Sequence, residues 1–156
     1  TVTKLKKNPL ARVLRPDKLT LAALSATLRD FLQPERVAER VPVWRVLTLP
    51  VEGLRARAEA LKARLATLAG WQVLEVRESE AEAGSGTMPA VAIPSVALCC
   101  LPQRETASRW ARRLRLAPVP VVATVKHDLV WLDLRTIAET DESDLFASIS
   151  SSLKKD

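Results

Sequence analysis

Long apolar runs are missing from this sequence: none reaches the roughly 18 to 20 residues that cross a bilayer, and the basic start is not followed by the apolar core of a secretion signal. Neither a membrane span nor a leader is expected, and the chain reads as soluble. Cysteine is scarce. Cys99 and Cys100 are adjacent; on a strand they point to opposite faces, which argues against a mutual disulfide and for a reducing compartment. Neither lies at metal-ligand spacing from a histidine or a second cysteine pair, so no metal is expected. The single histidine, His127, has no identifiable nucleophile or orienting acid beside it and reads as a turn residue. Glycine is also sparse, and only Gly84 and Gly86, flanking Ser85, form a close pair. Alone, such a pair is weak evidence for phosphate binding and fits a flexible hairpin connection better.

What is present suffices for one domain. At 156 residues, about 68 to 70% of the unfolded surface can be buried. The net charge of +6 permits contact with RNA or another polyanion without specifying it. Much of it lies at the start, where Thr1 to Lys18 carries six basic residues against Asp17. Arg12 and Arg15 stand three residues apart, and two guanidinium forks on one side of a turn suit an oxyanion. From spacing alone a solvated basic turn is the simpler reading, since surface arginines outnumber functional ones. Pro16 and Asp17 then start a helix over 18–32, with Leu21, Leu24, Leu28 and Phe31 on one face and Pro34 closing it. That stripe calls for burial, against the rest of the chain, a further domain or a second subunit.

After a proline-punctuated connection, with a short helix near Glu35 to Arg40 and an apolar piece over Trp44 to Leu49, the spacing predicts a helix from Val51 to Leu68. Leu54, Ala58, Leu61, Leu65 and Leu68 form its buried stripe; Arg55, Arg57, Glu59, Lys62 and Arg64 fall on its solvated side, and Gly70 ends it. A half-buried strand spans Gln72 to Arg77, a loop Glu78 to Pro89, and a central strand Val96 to Leu101. The helix Thr106 to Leu116 turns Trp110 and Leu114 (or Ala107) inward. Its other side, Arg109, Arg112, Arg113 and Arg115, is either a solvated face or an RNA-facing one. Val119 to Lys126 and Leu129 to Thr136 read as a hairpin around His127 and Asp128, with Val130, Leu132 and Leu134 on one face and Trp131, Asp133 and Arg135 on the other. A capped helix with Leu145, Phe146 and Ile149 inward closes the chain, with Ser150 to Asp156 fraying. The architecture expected is α+β: a small antiparallel sheet of three or four strands, helices packed on one face, and the terminal hairpin beside the Val96 to Leu101 strand.

Three blocks carry a resemblance. Asn8, Pro9 and Leu10, then Arg12, Leu14, Arg15, Asp17 and Lys18, followed by LTLAALSATL, closely resemble a segment of the bacterial selenocysteine synthases, the L-seryl-tRNA(Sec) selenium transferases. Gly84 to Pro89 with Ile93, Pro94 and Ser95 resembles that family's glycine-rich loop and next strand. Pro118 to Ile137 resembles its final hairpin, except that Ala123, Thr124 and Val125 stand where members often carry Gly-Arg-Ile; no role of that arginine transfers, and Thr124 marks a changed position.

The resemblance implies a cytoplasmic, homo-oligomeric pyridoxal-phosphate enzyme that converts seryl-tRNA(Sec) to selenocysteinyl-tRNA(Sec) with selenophosphate. The fold implied is that of the small C-terminal domain of fold-type I pyridoxal-phosphate enzymes. By motif match, Arg12 and Arg15 would hold the anionic selenium donor, while Gly84, Ser85 and Gly86 would form an active-site loop. The family's cofactor lysine belongs to a Ser-x-Asp-Lys-Leu-Leu-Gly-Gly motif absent here; Lys18 repeats only Asp-Lys-Leu, with Thr20 and Leu21 following. The expectation is therefore a C-terminal portion with 1–17 continuing from a large domain and 18–156 forming the small one. Such a portion should bind no cofactor and be inactive alone. The competing expectations are a non-catalytic module for oligomerisation or tRNA contact, and a related lyase or paralogue with another substrate.

Overall fold

The computed structural model describes residues 2–82 and 92–153. They fall into two compact units, Thr1–Arg45 and Val46–Asp156. The first is helical: α1 (Val2–Lys6), α2 (Leu10–Val13), α3 (Lys18–Asp30) and α4 (Pro34–Arg40), with α5 (Pro42–Thr48) running past its end. Helix α3 starts where the sequence places it. The Asp17 side chain accepts from the Leu19 and Thr20 amides at 2.7 and 2.9 Å, occupying donors that the first turn leaves open. The Thr20 amide and then the Thr20 hydroxyl hold the Asp17 carboxyl below its ordinary range. Pro34 begins α4 at a position where its missing N–H costs nothing. Arg40 reaches Asp30 at 3.1 Å, and Phe31 meets Trp44 edge to face at 6.2 Å.

Leu21, Leu24, Leu28 and Phe31 remain 50, 53, 56 and 45% exposed, so no neighbour within this unit covers the apolar stripe. The apolar piece around Trp44 is itself helical, as α5.

The second unit contains α6 (Val51–Ala66), β1 (Trp71–Ala81), β2 (Ile93–Pro102), α7 (Ala107–Arg115), β3 (Thr124–Lys126), β4 (Leu129–Asp133), two 3-10 turns (Leu134–Thr136 and Glu139–Asp141) and α8 (Glu142–Leu153). Its four strands form one antiparallel sheet in the order β1-β2-β4-β3. The terminal hairpin thus lies beside β2, as expected. Val76, Leu98 and Leu132 pair across one face, while Glu75, Cys99 and Trp131 pair across the other. Burial of the first face follows from helical spacing in α6, whose Leu54, Ala58, Leu61 and Leu65 are buried. Trp110, Leu114 and Ile149 complete that core. Gly70 adopts φ +102, a left-handed turn into β1 that a side chain would strain.

Several boundaries move for physical reasons. β1 runs through Glu78 to Ala81 because its ladder with β2 continues from Glu78 opposite Val96 to Ala81 opposite Ile93. Backbone pairing there overrides the turn-like composition. β3 is only three residues long, preceded by Pro118 and Pro120, which cannot donate to a ladder. At the other end, α8 continues to Leu153 rather than fraying from Ser150: Ser152 is buried, and the Ser148 hydroxyl donates to the Val119 carbonyl at 2.8 Å.

The largest departure is Arg135. Alternation places it on the open side with Asp133, but β4 ends at Asp133, whose carboxylate accepts from the Arg135 amide and caps the 3-10 turn. The turn changes the side-chain direction, and Arg135 is buried with 3% exposure. Its Nη1 donates to the carbonyls of Val46, Leu47 and Leu49 at 2.8, 3.3 and 3.0 Å, and its Nη2 to that of Pro94 at 2.5 Å. Arg57 is likewise not a solvated side chain: it is half-buried, 2.7 Å from Glu142, and donates to the Ile137 carbonyl at 2.6 Å.

Candidate functional site

The Arg12 and Arg15 segment is built by two local stops. The Asn8 side chain accepts from the Leu10 amide at 2.9 Å and starts the single turn α2, which carries Arg12. Arg15 follows the end of that turn. It precedes Pro16, whose ring disfavours helical backbone at the residue before it. Both arginines are exposed, and among the described residues neither side chain makes a hydrogen bond or ion pair. Asp17, the nearest acid in sequence, has both oxygens engaged by the start of α3. The result is two permanently charged forks on a four-residue stretch with no internal counter-ion, suited to a small oxyanion. Gly84, Ser85 and Gly86 lie outside the described residues.

Other expectations can be placed. His127 is at the tip of the β3–β4 hairpin, where it and Asp128 have φ of 50 and 56°, the left-handed pair that a tight two-residue turn requires. Thr124 opens β3 opposite Trp131 and is exposed. Lys18 is exposed in the first turn of α3. Among the described residues, no group of three or more histidine, cysteine or acidic side chains is placed to hold a metal ion. No described helix is long and apolar enough to cross a membrane.

The open face of the sheet holds a cluster that sequence reasoning missed. Asp133 accepts from the Ser79 hydroxyl at 2.9 Å and from the Ser95 hydroxyl at 2.6 Å. Three strands, far apart in sequence, meet there; no local pattern signals such a meeting. The same sheet separates the cysteines as alternation predicts: Cys99 pairs with Trp131 across the open face, and Cys100 turns into the core with its thiol 3.8 Å from the Val130 carbonyl. Both are buried and free. Burial pushes the Cys99 thiol up to about 11 against the smaller opposing pull of Arg77, and it raises Cys100 further. Since the thiolate is the reactive form, Ellman's reagent at mildly alkaline pH should label neither cysteine in the folded protein and both after denaturation. Rapid labelling of the native chain would contradict this packing.

Comparison with known proteins converges on one family. The family model described as "SelA: L-seryl-tRNA selenium transferase" matches residues 1–138. Proteins named L-seryl-tRNA(Sec) selenium transferase from Salmonella heidelberg (strain SL476), Salmonella enteritidis PT4 and Salmonella typhimurium are each 41% identical to this chain over 142 residues. The match covers 88% of the chain but 31% of each relative. The chain therefore spans less than a third of the length of these relatives.

Proposed function

Because this chain belongs to the L-seryl-tRNA selenium transferase family, we propose that it is the C-terminal part of an enzyme converting L-seryl-tRNA(Sec) to L-selenocysteinyl-tRNA(Sec), with selenophosphate as donor. The observation that carries the reading is the family match over residues 1–138, which includes the whole Arg12 and Arg15 segment. Segment 1–17 then belongs with a preceding large domain, and 18–156 forms the small domain with its connecting helix. Homo-oligomerisation and a cytoplasmic location belong to the same reading. The exposed stripe of α3 supports it, since an amphipathic helix without cover suits a chain that works against further protein.

Pyridoxal phosphate would supply an electron sink in the complete enzyme. The described residues of this chain do not fit it as a cofactor site. Lys4, Lys6, Lys7, Lys18 and Lys126 are exposed, and Lys62 pairs with Glu59 on the surface of α6. No step is therefore assigned to a lysine of this chain, and the chain alone should have no transferase activity. Its own contribution is to bind and orient the donor: Arg12 and Arg15 offer forked N–H donors to the phosphate oxygens and remain protonated throughout.

A charge-assisted hydrogen bond of this kind contributes roughly 1.5 to 3 kcal/mol, and each 1.4 kcal/mol is about tenfold. In the full-length enzyme, Arg12→Ala should raise the selenophosphate concentration for half-maximal rate by roughly ten- to a hundredfold, with seryl-tRNA binding unchanged. Arg12→Lys should recover only part, because one ammonium cannot reproduce the fork. An unchanged donor dependence in the alanine variant would remove Arg12 from the donor site.

A further inference from the structure

Arginines in the second unit divide into two groups. Arg55, Arg57, Arg77 and Arg113 pair with Glu78, Glu142, Glu75 and Glu105; both terminal nitrogens of Arg135 donate to carbonyls, and Arg64 lies over the Phe146 ring. The side chains of Arg104, Arg109, Arg112 and Arg115 make no hydrogen bond or ion pair among the described residues. These four lie on α7 or in the turn leading into it, so among the described residues of the unit the arginines without a partner are concentrated at one corner of the fold. The acid at that corner, Glu105, already holds Arg113 at 2.5 Å.

Two of the positions run against local energetics. The helix dipole favours cations at a C-terminus, which accounts for Arg112 and Arg115 in the last turn. It disfavours Arg109, in the first turn directly after the Thr106 cap. Arg104 has φ +60, the left-handed region where glycine or asparagine is the ordinary occupant. Neither placement helps the fold, and each adds a guanidinium to the same surface. That surface is concave: two cavities of about 310 and 520 Å³ share Glu105, Arg109 and Arg113 in their walls, the first adding Arg112 and the second Arg104.

We infer that the Arg104 turn and the outer side of α7 form a binding surface for the phosphate backbone of RNA, with Arg104, Arg109 and Arg112 as its contacts. The inference rests on the selenium transferase reading, in which the reacting amino acid is carried by tRNA. Several permanently charged forks along one helix, in shallow concavities whose acid, Glu105, is taken up by Arg113, match a row of phosphodiesters better than a single small anion. No base-reading role is assigned to them.

The test uses the full-length protein and a tRNA(Sec) transcript, with binding measured across a salt series. Loss of each phosphate contact should make log K against log salt shallower by roughly 0.7 to 0.9. The variant Arg104→Gln/Arg109→Gln/Arg112→Gln should therefore show a slope shallower by about two and, near physiological salt, at least about tenfold weaker binding. It should also raise the KM for seryl-tRNA while the selenophosphate dependence stays the same. Arg36→Gln/Arg55→Gln/Lys62→Gln, which removes the same charge elsewhere, should leave the slope nearly unchanged. Arg104→Gly separates binding from folding: it relieves the left-handed backbone, so its stability should hold or rise while tRNA binding weakens. If the parent protein binds tRNA and the first triple variant binds it equally well, or if the control triple loses as much, this surface is not the RNA contact. A parent protein that does not bind tRNA at low salt overturns the selenium transferase reading and this inference with it.

Discussion

Arg135→Met should destabilise the second unit by about 3 to 5 kcal/mol, one of the two largest effects expected of any single substitution in the chain. The magnitude follows from what the side chain satisfies. Four carbonyls, of Val46, Leu47, Leu49 and Pro94, converge on one buried guanidinium. A buried acceptor left without a donor costs about 1 to 3 kcal/mol; methionine fills most of the volume and offers no N–H. The end of α5 would also lose the cation that favours its carbonyls. With a denaturant dependence of about 1 to 3 kcal/mol per molar in urea, the unfolding midpoint of the chain should fall by roughly 2 M. Arg135→Lys should recover less than half, since one ammonium cannot span both carbonyl groups. A shift of the methionine variant below about 0.5 M would mean that the four carbonyls find other donors.

The second large effect is at Trp110. It is fully buried between α7 and the sheet, with its ring 5.6 Å from that of Trp71 at 78°, an edge-to-face arrangement. Trp71 is itself fixed, donating its indole N–H to the Leu65 carbonyl at 2.9 Å. Trp110→Ala should therefore cost about 3 to 5 kcal/mol, because neighbours pinned in this way cannot collapse into the space left behind. Trp110→Phe should cost only about 1 kcal/mol: it keeps most of the ring contact and removes an indole N–H that is buried without a partner. Urea unfolding followed by circular dichroism distinguishes the two. Equal losses for both variants would show that a phenyl ring restores none of the indole's packing.

The two sites also differ in how visible they are from sequence. Trp110 could be placed because it recurs at helical spacing with Ala107 and Leu114, and the structure buries these three together with Ala111. The α6 stripe was legible on the same grounds as far as Leu65, Leu68 lying past the helix end and only partly buried, and the turn at His127 was legible from the alternating residues on either side of it. Arg135 was not, because the period-two rule holds only while the strand lasts, and β4 gives way to a 3-10 turn one residue earlier. The extension of β1 over Glu78 to Ala81 was hidden for the opposite reason: its residues favour a turn, and only the partner strand keeps them extended. Likewise, the stripe on α3 could be recognised as apolar while its cover could not, since spacing says which face is apolar and nothing about what meets it. The Asp133 cluster needs three strands in register before it exists. For Arg12 and Arg15 the spacing left two readings open, and the long motif around them pointed to the family that the comparisons then returned.

The strand order β1-β2-β4-β3 leaves one margin of the sheet eleven residues long, while the opposite margin, β3, has three. A long unpaired margin offers its backbone to any extended segment that drifts near, which is how sheets begin to stack into aggregates. Here the margin reads Trp71 to Ala81, with half-buried Glu75 and Arg77 and exposed Glu78 and Glu80 spread along it. An incoming strand would have to desolvate those charges, so they act as gatekeepers against self-templating. Edge charges that contribute little to the stability of the monomer thereby restrict which substitutions can accumulate along β1: hydrophobic drift would be tolerated by the fold and penalised by precipitation.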